Sequence, residues 1–170
     1  MKYSFDIGLR IANFISMKAQ DYARSLFKYF DTEEIPVDMP ALVEKLGIEF
    51  REEDLEGIDG IAFKGEKSQL IIVNKNLSPE RRRFVIAHEL AHIVMPHATT
   101  YQICGREKGN ARMESDADRF AAELIMPESA MRAQWERYRD NKEYRVEVLA
   151  DRFGVSPTAM AIRIRHLGLK

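Results

Sequence analysis

Eleven residues, FVIAHELAHIV (84–94), constrain this chain more than any other stretch. All are apolar except His88, Glu89 and His92. Ser78 supplies a helix N-cap, Pro79 suits the first helical position, and Pro96 marks the stop. The segment therefore reads as an almost wholly apolar helix. Burying two imidazoles and a carboxylate in it without partners would cost several kcal/mol. The fold must supply those partners.

A metal ion does so economically. On a helix, His88 and His92 lie one turn apart and about 40° round from each other, so both rings reach one ion. A neutral imidazole nitrogen binds zinc at about 2.0–2.1 Å. Glu89, beside the first histidine, can face a water at the ion rather than the ion itself. H-E-x-x-H on a helix is thus read as two zinc ligands and the general base of a metallopeptidase. A chance pair of helix histidines against polar neighbours is the bland alternative, and the apolar context argues against it.

Zinc catalysis needs a third protein ligand and one open position. The sixth position after His92 is Ala98, not histidine, and His97 falls just past Pro96. The better source is RMESDADRFAAELIMP (112–127), a second strongly helical segment ended by Pro127. Glu114 and Asp118, four apart, share a face. Glu114 then binds the metal, and Asp118 accepts the outer N–H of a ligand histidine, fixing the ring. Glu123 is the rival ligand, nine residues beyond Glu114 and beside the apolar exit of the helix. A solvated acidic edge is the competing reading for the whole cluster.

The rest of the chain frames this pair of helices. Residues 7–30 carry apolar positions at three- and four-residue steps, an amphipathic helix interrupted near Ser16. A turn-rich joint (33–40) leads to a short helix, ALVEKLG (41–47). IEFRE, GIAFKG and QLIIVN read as three strands of a small antiparallel sheet. Residues 97–111 lack a period and read as loop. A helix covers about 128–139, and residues 146–169 form two short helices around Gly154. Helices, then strands, then helices indicate an α+β fold. We expect one domain over 1–170, with a helical N-terminal segment (1–35) and a helix-turn-helix-like hairpin (145–170). A length of 170 residues is enough for a real core.

The formal net charge of −1 gives no reason to expect nucleic acid or an acidic membrane as partner. A single cysteine, Cys104, excludes an intramolecular disulfide. Asp6, Arg10 and Asn13 interrupt any signal-peptide core, and no stretch is long enough to span a membrane. The expected compartment is the cytoplasm.

Further roles are open. Tyr101, His97, Arg112 and His166 are candidates by type for stabilising an oxyanion. QLIIVN can be an edge strand that pairs with extended substrate, with Asn74 at its end either near the active helix or a turn residue. Arg81, Arg82 and Arg83 either steer an acidic partner or form a solvated face. Cys104 is a switch at the open metal position or a spectator.

IIVNKNLSPERRRFVIAHELAHIVMPH (71–97) and ESDADRFAAELIMP (114–127) together resemble the ImmA/IrrE family of zinc-dependent metallopeptidases. IDGIAF (58–63) and the tail from Val146 are similar to it as well. The resemblance implies a compact gluzincin-like fold and an intracellular endopeptidase. It maps the ligands onto His88, His92 and Glu114, with Glu89 as catalytic glutamate and one zinc ion as cofactor. Manganese and iron are not distinguished from zinc. It also implies a protein substrate, a helix-turn-helix repressor whose cleavage derepresses genes. With this sequence ending at Lys170, we expect no built-in C-terminal sensor domain of the kind that some members carry.

Two other readings stand beside this one. LADRFGVSPTAMAIRIRHLG (149–168) has helix-turn-helix features and would place residues 157–166 in a major groove. Only Arg163, Arg165 and His166 are basic there, a thin footprint for a phosphate-binding module. Direct nucleic-acid binding is therefore not favoured over a hairpin that closes the core or docks substrate. A metal-bound but inactive adaptor is the third reading.

Overall fold

The computed structural model describes residues 17–96 and 111–170, and the backbone of 101–104. Its elements in chain order are α1 (Ala19–Arg24), a 3₁₀ turn (Phe27–Tyr29), α2 (Met39–Lys45), β1 (Glu49–Glu53), β2 (Gly60–Lys64) and β3 (Gln69–Asn74). There follow α3 (Pro79–Val94), β4 (Tyr101–Cys104), α4 (Ala111–Ile125), α5 (Glu128–Arg137), α6 (Arg145–Phe153) and α7 (Pro157–His166). The fold is α+β, as the element order indicates.

Helix ends fall where local chemistry puts them. Ser78 and Ser156 accept hydrogen bonds from the Arg81 and Ala159 amides, with Pro79 and Pro157 opening α3 and α7. Asp38 caps α2 in the same way, so that helix starts at Met39 rather than Ala41. Met95 is already extended (φ −77°, ψ 143°), because a residue before proline is excluded from the helical region. Gly154 adopts φ 61° between α6 and α7, a left-handed turn that glycine takes without steric cost.

The expected long N-terminal helix is shorter over the described residues, and its part before residue 17 lies outside them. After Arg24 the chain tightens into the 3₁₀ turn. Its threefold repeat brings Phe27 and Phe30 edge to face at 5.6 Å, beside the buried Leu26.

The sheet corrects two expectations. It has four strands in the order β1-β3-β2-β4, and it is mixed: β1 runs parallel to β3, while β2 is antiparallel to both β3 and β4. Strand β4 lies within the stretch read as loop. Strand runs in a sequence carry no pairing information, and the six-residue link from β1 to β2 decides the topology here. Asn74, at the end of β3, donates to the Leu55 carbonyl (2.6 Å) and the Ile58 carbonyl (3.0 Å). Its side-chain oxygen accepts from the Asn76 backbone amide. The link is thereby held across the end of β3 and carries the chain past it, leaving β1 and β2 on opposite sides. QLIIVN is accordingly a central strand with both edges occupied, and it has no edge to offer a peptide. Asn74 is a structural clasp. Among the described residues, the terminal strands are β1 and β4.

Helix α3 lies between the sheet and α4. Every residue from Val85 to Ile93 is buried. One side packs on β2 and β3, the other on α4. Ala87 and Ala91 of α3, with Ala117 and Ala121 of α4, are completely buried, and small side chains of this kind let two helices approach closely. Phe120, Leu124 and Leu90 fill the remaining volume. Helix α1, which buries Ala19 and Ala23, covers another part of α4.

The three consecutive arginines at the start of α3 are internal ties. Arg81 pairs with Asp59 (2.6 Å), and Arg82 pairs with Glu52 and donates to the Lys75 carbonyl (2.7 Å). Arg83 donates to the Val37 carbonyl, with its guanidinium against Gly154. Each fastens α3 to a different neighbour, so none is spare for steering. No described helix is long and apolar enough to cross a membrane.

Candidate metal centre

Two turns of α3 and the first turn of α4 meet at one point. His88 Nε2 lies 3.1 Å from His92 Nε2 and 3.2 Å from one Glu114 oxygen. The other Glu114 oxygen is 3.8 Å from His92 Nε2. Three ligand atoms around a tetrahedral ion at 2.0–2.1 Å stand about 3.3 Å apart. The His88–His92 and His88–Glu114 separations are close to that spacing, while the separation from His92 to the other Glu114 oxygen is longer. His88 and His92 are buried, while Glu114 is about one-third exposed.

Protonation logic supports the same conclusion. His88 Nδ1 donates to Asp118 at 2.9 Å, which leaves the lone pair of Nε2 directed inward. That lone pair faces a carboxylate oxygen and a second imidazole. Electron-rich atoms so placed require a proton or a cation among them, and the donor set suits zinc. Among the described residues, His88, His92 and Glu114 are the group with metal-ligand geometry.

Asp118 therefore sits where the i, i+4 spacing from Glu114 puts it, one turn further along α4. It fixes the His88 ring from behind, and such outer partners typically govern 10–100-fold of metal affinity. Glu123 is elsewhere. It is about 13 Å along the helix from Glu114, is 1% exposed, and is gripped by Arg24 (2.9 Å) and Arg163. Both of its oxygens are committed to arginines, so it is a structural counter-ion.

Burial lowers the proton affinity of His88. The hydrogen bond to Asp118 and the negative charges of Glu89, Asp118 and Glu114 outweigh that effect and hold its pKa above the ordinary imidazole value. A raised folded-state pKa means that protonated His88 stabilises the metal-free protein fully below about pH 6.5. That contribution is lost as pH rises through the higher folded value. Metal takes the neutral ring, so its affinity runs the other way. Chelator-competition titrations between pH 5.5 and 8 should show zinc affinity rising with pH as protons are released. Asp118→Asn should shift the rise to lower pH and weaken binding at pH 8 by roughly 10–100-fold. A pH-independent affinity would contradict this assignment.

Glu89 projects from α3 beside His88 and is fully buried. A neighbour that sequence reasoning missed is Gly60, on β2, which packs directly over Val85 and Glu89. The available signal was the glycine that opens the GIAFKG strand run, where a missing side chain can mark close backbone approach.

Two of the remaining candidates lie among the described residues. His166 is exposed on α7 and borders a surface cleft with Arg24, Glu123 and Arg163, away from the histidine pair. Arg112 lies exposed in the first turn of α4. His97 and the side chains of Tyr101 and Cys104 lie outside the described residues. The third basic residue of the hairpin, Arg163, is buried, donating to the Met126 carbonyl (2.8 Å) and paired with Glu123.

A solved structure of a transcriptional regulator from Mycobacterium tuberculosis has a similar fold, with a TM-score of 0.58 at 17% identity. The similarity covers 85% of this chain and 46% of that one, so this chain spans less than half of that protein's length. No curated protein matches. The family model of the IrrE N-terminal-like domain matches residues 43–165, a stretch that holds the sheet, both site helices and the hairpin as far as Arg165. With His88, His92 and Glu114 converging inside that match, the chain belongs to the IrrE N-terminal-like domain family, a family of peptidases.

Proposed function

We propose that this chain is a zinc-dependent endopeptidase acting inside the cell on a helix-turn-helix repressor, so that cleavage derepresses the genes that repressor controls. One observation carries the catalytic reading: His88, His92 and Glu114 converge at metal-ligand spacing, with the buried carboxylate of Glu89 on the adjacent position of the same helix. The link to gene control is supported by the fold shared with a transcriptional regulator.

His88, His92 and Glu114 would hold the ion, and Asp118 keeps the His88 ring in the tautomer that exposes Nε2. When bound, zinc lowers the pKa of a coordinated water and polarises the substrate carbonyl. Glu89 accepts the proton of the attacking water as its oxygen joins the carbonyl carbon. It returns that proton to the departing amine as the C–N bond breaks. The terminal strand β4 offers backbone groups to which an extended peptide can add.

The DNA-binding reading is weakened by Arg163, which is turned inward onto Glu123 and leaves only Arg165 and His166 as exposed basic groups on α7. The discriminating experiment incubates the purified chain, with one equivalent of zinc, with a helix-turn-helix repressor from the same cell. A single cut, abolished by chelator and restored by zinc, is the expected result. An intact repressor under all metal conditions, with salt-dependent affinity for duplex DNA, would overturn the proposal in favour of a regulator.

A further inference from the structure

We propose that Gly60 is a positioning residue for Glu89: the missing side chain on β2 sets where the Glu89 carboxylate rests. The inference builds on the peptidase reading above. A Cβ placed on Gly60 would stand 2.6 Å from Val85 Cγ1, 2.8 Å from Glu89 Oε1 and 3.0 Å from Glu89 Cγ. Carbon atoms are not found so close, so something must move.

The backbone does not require glycine at this position. Gly60 is not among the glycines with positive φ (Gly47, Gly57, Gly154 and Gly168), so its conformation is open to any residue. The requirement is space. Strand β2 has little freedom to withdraw, because Gly60 is in register with Val73 on one side and Cys104 on the other. Helix α3 has little freedom to withdraw either, since it is wedged between the sheet and α4. Val85 is β-branched and held to one rotamer in a helix. The group left to yield is the Glu89 side chain, which is fully buried among close-packed neighbours. A methyl group on residue 60 therefore re-aims the carboxylate.

The metal ligands lie on a different side of α3 from this contact. His88 and His92 point toward α4, where they meet Glu114 and Asp118, whereas Gly60 touches α3 from the sheet side. Gly60→Ala should consequently separate metal binding from catalysis. Misplacing a catalytic group by about 1 Å costs on the order of a hundredfold in rate.

Four chains are compared: the parent, Gly60→Ala, Val85→Ala and the double variant Gly60→Ala/Val85→Ala. We expect Gly60→Ala to bind one zinc with unchanged affinity in chelator competition, to keep KM within about threefold, and to lose 10–100-fold in kcat. Relief of the 2.6 Å contact in the double variant leaves the 2.8 Å contact with Glu89. It should fold even where Gly60→Ala does not, and still turn over at least tenfold more slowly than Val85→Ala. In the metal-free protein, the ¹³Cδ resonance of Glu89 should move in Gly60→Ala and in the double variant. A control core substitution in the hairpin turn, Val155→Ala, should leave both that resonance and kcat in place.

Double-variant turnover within threefold of Val85→Ala, or an unmoved Glu89 resonance, would overturn the proposal. If the parent chain cleaves nothing, the peptidase reading fails, while the resonance still decides whether Gly60 places Glu89.

Discussion

Glu89→Gln is expected to keep one zinc ion per chain and to cleave the proposed repressor substrate roughly 10²–10⁴-fold more slowly, the range a positioned general base commands. The substitution replaces one carboxylate oxygen by an amide of the same shape, so the packing of α3 against β2 is kept. The amide cannot take a proton from water. The ligands are untouched, because the group that converges at metal-ligand spacing is His88, His92 and Glu114, without Glu89 among them. Zinc stoichiometry by atomic absorption and cleavage by electrophoresis of timed samples measure the two properties separately. Loss of metal together with activity would make Glu89 a ligand, and full activity would remove it from the reaction.

Glu114→Ala and Glu123→Ala should fail in opposite ways, although both remove a carboxylate from α4. Glu114→Ala strips the third ligand from a site whose other two are imidazoles. Zinc affinity should fall by more than the roughly 10–100-fold that an outer partner such as Asp118 controls. The fold should survive, because Glu114 is partly exposed and no packed core depends on it. Glu123→Ala should keep one zinc per chain and lose about 3–5 kcal/mol of stability in urea denaturation. The reason lies in what is left behind. Arg163, 6% exposed, would keep its hydrogen bonds to the Met126 carbonyl but lose its counter-charge inside the protein. Arg24 would lose its hold on the centre of the network, retaining Glu128 at its edge. If Glu123→Ala released the metal and Glu114→Ala retained it, the ligand assignment would be reversed.

The contrast between these two glutamates bears on how evidence divides along the chain. Both are acidic residues on a helix with a strong apolar face, and the helical repeat alone separates them by depth and angle. It favours Glu114 because Asp118 shares its face. It is silent on the partners of Glu123, since Arg24 and Arg163 lie 99 and 40 residues away in sequence. Long-range ion pairs leave no local periodicity to detect. The same holds for Arg81, Arg82 and Arg83. A basic run at a helix start looks like a solvated face until Asp59, Glu52 and Val37 are brought against it.

Local physics alone determined the helix bearing H-E-x-x-H, its cap at Ser78, its end before Pro96, the partner helix with Glu114 and Asp118, and the turn at Gly154. Each depends on residues within four or five positions of one another, where backbone geometry leaves few alternatives. Tertiary structure decided everything that depends on which segments become neighbours. It made QLIIVN a central strand through the Asn74 clasp, turned the sheet mixed, added β4, and drew Arg163 inward onto Glu123. It also laid Gly60 over Glu89. Strand pairing and buried ion pairs are set by the packing of elements far apart in the chain, and no short window of sequence carries that information.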